Sequence, residues 1–317
     1  MKVRLGRYVG ARLERRSPTQ AAIALVYHRV GDPPGDPRYE LVPRLGTRLF
    51  EAQLNYLSTT YRVVPPSRLL DAALERRAGD RFPVALTFDD DLRSHVEVVR
   101  PALRRAGLPA AFFVCGASFD RTHSFWWEDL QALADRRDPL LLRLRSLQEL
   151  DLAPVVQGAP YAIHQVAELI ERLPVGRRDA VAGELRILAR SHRPGLTERD
   201  LQRLEAAAFE IGFHTRRHYL LTTLDDSALS TAMVEGREEL EAVVGQRLSM
   251  IAYPHGKADA RVAEAARAAG YEFAFTGLPV SVAPTTDALM IGRIEGVAVQ
   301  LRDFARTIAT TLADTSA

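Results

Sequence analysis

The sequence predicts a closed or nearly closed parallel α/β barrel. Three observations point there. Short apolar runs of strand length alternate with segments of helical periodicity along most of the chain. Glycines stand where several helical patterns stop, at Gly107, Gly245 and Gly270. Polar residues stand just after the strand runs: His28, Asp89, Asp90, His214, His255 and Arg293. In a barrel all strands end on one face, which is where sites are built.

Residues 1–21 form a basic N-terminal segment carrying Arg4, Arg7, Arg12, Arg15 and Arg16, read as a solvated face. Ala22 to Tyr27 is a strand that runs into His28. The Pro- and Gly-rich stretch from Arg29 to Leu45 is a loop. Phe50, Leu54 and Leu57 recur at helical spacing. Arg62 to Val64 is a short strand ended by Pro65-Pro66. Leu69, Leu70, Ala73 and Leu74 predict a helix that stops near Gly79.

Val84-Ala85-Leu86 begins a buried strand that delivers Asp89-Asp90-Asp91 at its carboxyl end. A helix over about 92–106 and a strand over Ala110 to Val114 complete a βαβ unit. Between about 119 and 197 the rhythm is helical, with no strand. This is read as an insertion in the barrel, which itself spans 22–317. Trp126 and Trp127 open it and read as a packing anchor more than as a sugar-stacking face.

Thr197 to Asp200 has the form of a capping box and starts a helix to about Ala208. Phe209 to Phe213 is a strand into His214. A helix covers about 226–244. Met250 to Tyr253 is a strand into Pro254-His255-Gly256, and a helix follows to Ala269. Phe273 to Phe275 and Leu289 to Arg293 are further strands. A helix over 301–313 closes the chain.

The chain has 317 residues, 47% of them hydrophobic, and a net charge of +2 with both signs interspersed. That balance argues against a dedicated nucleic-acid binder. The one cysteine, Cys115, excludes an intrachain disulfide and reads as a small buried hydrophobe. No stretch reads as a signal peptide or reaches the length of a membrane span. The expectation is a soluble, cytoplasmic protein of undetermined oligomeric state.

Three adjacent carboxylates repel one another, so at least one must be protonated, paired or bound to a cation. His214 and His218 lie four positions apart, and on a helical turn they would share one face. Alone, they read equally well as surface histidines. Their place after a strand, with carboxylates after another, raises the metal reading. Two imidazoles and a carboxylate suit Zn²⁺ or a similar divalent ion.

These residues carry a resemblance. Thr87-Phe88-Asp89-Asp90 and His214-Thr215-x-x-His218 resemble the first two motifs of the polysaccharide deacetylase family, also called NodB-homology or carbohydrate esterase 4. Leu25 to Arg29, Pro109 to Val114, Tyr253 to Gly256 and Arg293 fit as well. The early Tyr27-His28, with no late Leu-x-His, resembles the circularly arranged branch of exopolysaccharide biosynthesis.

The resemblance implies a distorted (β/α) barrel of the NodB-homology type with the largely helical insertion. It implies a de-N-acetylase acting on an N-acetylated saccharide of a glycan or glycan precursor, with one Zn²⁺, or Co²⁺ or Ni²⁺, as cofactor. Asp90, His214 and His218 would hold the metal. Asp89 would be the base for the attacking water, and His28 the acid for the leaving amine. The backbone N–H of His255 would help hold the oxyanion. Arg293 would keep Asp89 ionised. A lipid-linked substrate would bring peripheral membrane contact.

Three positions depart from the family pattern. Asp91 stands where the family has Gly, and Asp tolerates the positive φ that such a turn favours. His255 replaces a Tyr, and Ile291-Gly292 replaces Leu-Pro. Asp91 and His255 give the competing expectation, a catalytically silent glycan-binding relative. Against it, every expected ligand and proton-transfer residue is present. A two-metal phosphoesterase fits less well, since the ligands suffice for one ion.

Overall fold

In the computed structural model, residues 17–119, 125–147, 150–190 and 195–314 are described. Eight strands form one sheet: β1 (Ile23–Tyr27), β2 (Arg62–Val63), β3 (Pro83–Asp89), β4 (Ala111–Val114), β5 (Glu210–Phe213), β6 (Met250–Ala252), β7 (Phe273–Phe275) and β8 (Ile294–Glu295). Their order is β7-β6-β5-β4-β3-β1-β8, with β2 also on β3. All these pairings are parallel. The curled sheet nearly closes through one segment. β8 pairs with β1, and Ile291, just before it, forms a parallel bridge with Phe275 of β7. This is the distorted (β/α) barrel that the alternation and the resemblance imply.

The strands are buried along almost their whole length because helices cover the outside and side chains fill the inside. Tyr27, Phe88 and Phe112 sit side by side in the β1–β3–β4 register. Their rings stack at 5.3 and 5.0 Å. Such cross-strand pairs pin the register. Here they level the ends of β1 and β3, so the residues that follow, His28 and Asp89-Asp90, emerge on the same face.

Outside the sheet run α1 (Thr47–Thr60), α2 (Leu69–Glu75), α3 (Arg100–Ala106), α8 (Glu198–Glu205), α9 (Asp226–Ala232), α10 (Arg237–Val244), α11 (Ala260–Ala268) and α12 (Leu301–Asp314). Between α3 and α8 the insertion holds α4 (Trp126–Asp135), α5 (Ala153–Gln157), α6 (Ala162–Glu171) and α7 (Val175–Ala189), with no strand among its described residues. Its helices share their own apolar cluster, which includes Trp126, Trp127, Ile163, Ile170 and Leu185. Both tryptophans therefore anchor packing. The capping box at Thr197 and Asp200 forms as expected.

Several elements differ from expectation. The helix expected over 92–106 begins with a wide, π-type turn at His95–Val99 before α3. The long helix expected over 226–244 is two, because Gly236 takes φ 81° and turns the chain between α9 and α10. The second helix ends at Glu75, short of Gly79, and the capped helix ends at Glu205. The strand expected over 289–293 is displaced: only Ile291 bridges β7, and β8 starts at Ile294. The arginines of the basic N-terminal segment, His123 and His192 lie outside the described residues. Among the described residues no helix is long and apolar enough to cross a membrane.

Candidate active site

The strand ends gather the predicted residues around one cleft of about 370 Å³, lined by His28, Asp89, Asp90, His214, His218, His255 and Arg293. Asp89 is the last residue of β3 and is 2% exposed. Arg293, equally buried, grips it with both arms: Nη1 donates to Oδ1 at 2.8 Å and Nη2 to Oδ2 at 2.7 Å. The same guanidinium donates to the Thr276 carbonyl at 3.0 Å and to the Thr87 hydroxyl at 3.1 Å. Burial alone would raise the Asp89 pKa. The charge of Arg293, then that of His214, outweighs it and brings the carboxyl down to about 2.

Asp90 points elsewhere. Its Oδ1 is buried and accepts no hydrogen bond among the described residues. The Nε2 atoms of His214 and His218 face that oxygen at 3.6 and 3.5 Å. Burial pushes the Asp90 carboxyl up and the His218 ring well down, so neither charge is supported by the protein alone. His214 Nδ1 donates to the Ala252 carbonyl at 2.8 Å, which leaves its Nε2 lone pair aimed inward. One oxygen and two nitrogens, all within 4.8 Å of one another, form a set able to hold a metal ion. The orphaned oxygen among lone pairs is what a cation would satisfy, so the residues present fit a divalent ion.

The histidine pair does not sit on a helix, as its spacing suggests. Thr215 and His218 take φ 57° and 49°, and that turn brings both rings to one ion position. The Arg178 guanidinium, buried in α7, donates to the His218 carbonyl at 2.7 Å and holds the turn. The expected positive φ after β3 belongs to Asp90, at 74°, and not to Asp91. Asp91 instead turns away from the cleft. Its carboxylate accepts from the backbone N–H groups of Cys115 (2.8 Å), Gly116 (3.2 Å) and Ser118 (3.0 Å). It caps the end of β4 and does not compete for a metal. Cys115 is buried among these groups as a hydrophobe.

His28 follows β1, is half-buried and lines the cleft. His255 also takes a positive φ, 58°. Its ring lies against His218, centroids 4.6 Å apart, and its Nδ1 meets Glu171 Oε1 of α6 at 3.1 Å. Glu171 was not singled out in the sequence. A helical stripe offered the one signal: His164, Ala167, Glu168 and Glu171 of α6 share a face and line the cleft. His95 was also missed as a support. It is buried beneath the site and its Nε2 donates to the Asp89 carbonyl at 2.8 Å. Burial holds its ring down to about 4, so it is neutral.

The sequence pattern of the polysaccharide deacetylase family matches residues 76–142 and 158–274, together more than half of the chain. The chain belongs to that family. No curated protein matches it by sequence. Three solved structures share the fold. The deacetylase PplD of Streptococcus pyogenes, in complex with acetate, is 15% identical, with a TM-score of 0.60 over 93% of this chain and 99% of that one. IcaB from Ammonifex degensii is 19% identical, with a TM-score of 0.57 over 92% and 97%. A de-N-acetylase from Aggregatibacter actinomycetemcomitans is 16% identical, with a TM-score of 0.56 over 90% and 99%. At these identities the likeness is one of fold.

Proposed function

We propose that the chain is a metal-dependent carbohydrate de-N-acetylase, hydrolysing the acetamide of an amino sugar in a glycan or glycan precursor. One observation carries this reading. A buried, unpartnered carboxylate oxygen of Asp90 faces two imidazole nitrogens, beside a second carboxylate that Arg293 holds ionised. Asp90, His214 and His218 would hold one divalent ion. Zn²⁺ suits two imidazoles and a carboxylate, with Co²⁺ or Ni²⁺ as substitutes. Such an ion supplies a Lewis acid for the amide carbonyl and a lower pKa for water.

The chain's own residues supply the rest. Asp89, ionised at every working pH, takes the proton of the attacking water. Arg293 fixes the plane of that carboxylate, so its free lone pairs point into the cleft. His28 donates a proton to the nitrogen as the C–N bond breaks, because an unprotonated amide anion leaves poorly. The products are acetate and an amine. The backbone N–H of His255 is the oxyanion donor in this reading.

The test removes metal with a chelator, restores Zn²⁺ or Co²⁺, and follows acetate release from N-acetylglucosamine oligosaccharides and nucleotide sugars. Activity should vanish and return. Asp89→Asn should keep its metal and lose on the order of 10²-fold or more in kcat. Stoichiometric metal without acetate release from any of these would leave a glycan-binding protein.

A further inference from the structure

Beside the cleft lies a second cavity of about 390 Å³, close to the size of the first. The two share Trp126 and Trp127 as lining. The turn after β5 also serves both. In His214-Thr215-Arg216-Arg217-His218-Tyr219 the two imidazoles line the cleft, while Arg216, Arg217 and Tyr219 line the second cavity. A stripe of α7 adds Arg178, Ala182 and Arg186, which recur at intervals of four and so share one face. The short side chain of Ala182 stands between the two arginines.

Four arginines therefore line one cavity. Two are committed to carboxylates. Arg217 Nε donates to both oxygens of Glu235 at 3.0 Å, and Arg216 Nη1 meets Glu239 Oε2 at 3.1 Å. Arg178 and Arg186 form no ion pair among the described residues. Asp179, which also lines the cavity, accepts from the Tyr219 hydroxyl at 2.9 Å instead. Arg178 is only 3% exposed. Its charge rests on the His218 carbonyl and on the rings of Tyr219 and Trp126, at 4.8 and 5.9 Å. A buried charge without a counter-charge is costly, so an anion entering this cavity would be stabilising. One guanidinium fork satisfies a carboxylate. An ester phosphate has three strong acceptor oxygens and up to about two charges at pH 7, and it answers several guanidiniums at once. We propose that the cavity is a binding site for a phosphate or diphosphate group, held by Arg178 and Arg186 beside the Arg216-Arg217 turn. This site goes beyond the deacetylase reading and does not depend on it. The group has two sources to distinguish: the amino-sugar substrate, with its sugar across the tryptophan wall, or a separate phosphorylated molecule.

The test titrates the full chain, loaded with Zn²⁺, with glucose 1-phosphate by calorimetry. This probe carries the phosphate and no acetamide. It should bind saturably, one per chain, and methyl glucoside should bind at least about tenfold more weakly. Arg186→Glu should weaken the phosphate compound by about tenfold or more, the factor that one charge-assisted hydrogen bond supplies. Arg186 is exposed, so the fold and the metal content should hold, which melting and elemental analysis check. Arg306→Glu, on α12, makes the same change of net charge and should bind as the wild type does. No saturable binding, or equal weakening in both variants, overturns the proposal. So does binding that survives Arg186→Glu and vanishes with the metal, since the phosphate would then sit on the ion. The source is read from kcat/KM for N-acetylglucosamine 1-phosphate against methyl N-acetylglucosaminide. A ratio of about tenfold that falls toward one in Arg186→Glu assigns the phosphate to the substrate. A ratio near one beside intact glucose 1-phosphate binding assigns it to a separate molecule. If neither compound releases acetate, the deacetylase reading fails instead, and calorimetry still decides the cavity.

Discussion

Replacing Arg293 with Met isolates the clamp on Asp89. The side chain keeps its approximate length and loses four donated hydrogen bonds, two of them to the carboxylate. Asp89 stays buried at 2% exposure with its charge uncompensated. Breaking a buried pair from one side costs about 3–5 kcal/mol. With unfolding entropy near 2.1 cal/mol/K per residue, a chain of this length should lose roughly 5–7 °C in Tm. The sign with pH follows from Asp89. In the intact pair its carboxyl lies at about 2 against an ordinary 3.8. The stability this contributes is complete above 3.8 and is lost as pH falls toward 2. Without Arg293, burial raises the carboxyl instead, so the deficit of the variant should shrink as pH falls and grow as it rises. Calorimetry of the metal-free protein from pH 5 to 8 reads both effects. Asp89→Asn/Arg293→Met removes the orphaned charge and should recover part of the loss. A deficit under about 2 °C, or a double variant no better than the summed singles, would refute the reasoning.

The remaining predictions concern the same face of the barrel. His214→Ala and His218→Ala should each lose stoichiometric metal by elemental analysis; full occupancy in His214→Ala would dismiss the assigned site. His28→Ala should keep metal, losing most activity on poor leaving amines and little on an activated acetyl ester. Equal losses on both would count against an acid role, and a crippled His255→Ala beside a near-normal His28→Ala would move the acid to His255. Asp91→Ala should destabilise by about 2–4 kcal/mol, because three N–H groups at the end of β4 lose their acceptor. Its metal content should not change; metal lost at an unchanged Tm would make Asp91 a ligand.

The strand ends were legible because burial demands apolar residues along a parallel strand, so a polar residue after one stands out. That pattern placed His28, Asp89, Asp90, His214 and His255 together. It located Arg293 less well, since the closing segment bridges β7 with one residue and pairs with β1 over two. So short a strand leaves no periodicity to read. The turn at His214–His218 was misread as helical because i,i+4 spacing is shared by a helix and by this double left-handed turn. The partnership of Glu171 with His255 was invisible, being a contact between an insertion and a distant loop.

Two of the three departures from the family pattern, Asp91 and His255, acquire physical roles in the same frame. Asp91 satisfies buried backbone donors, which a glycine could not do. His255 meets a carboxylate from the insertion. Asp90, Thr215, His218 and His255 all hold positive φ, and all sit at or just beyond strand ends around the cleft. Each such residue costs on the order of 1–3 kcal/mol and persists only when its surroundings over-determine it. The surroundings here are specific. Arg178 holds the His218 carbonyl, Glu171 holds the His255 ring, and Leu196 N holds the Asp91 carbonyl at 3.0 Å. Arg178 and Glu171 belong to the insertion, and Leu196 closes it. The helices that narrow the cleft therefore also brace the turns that present the proposed metal ligands. Loosening the insertion should weaken the proposed metal site and widen access to the cleft together, so the two properties are coupled through the same three contacts.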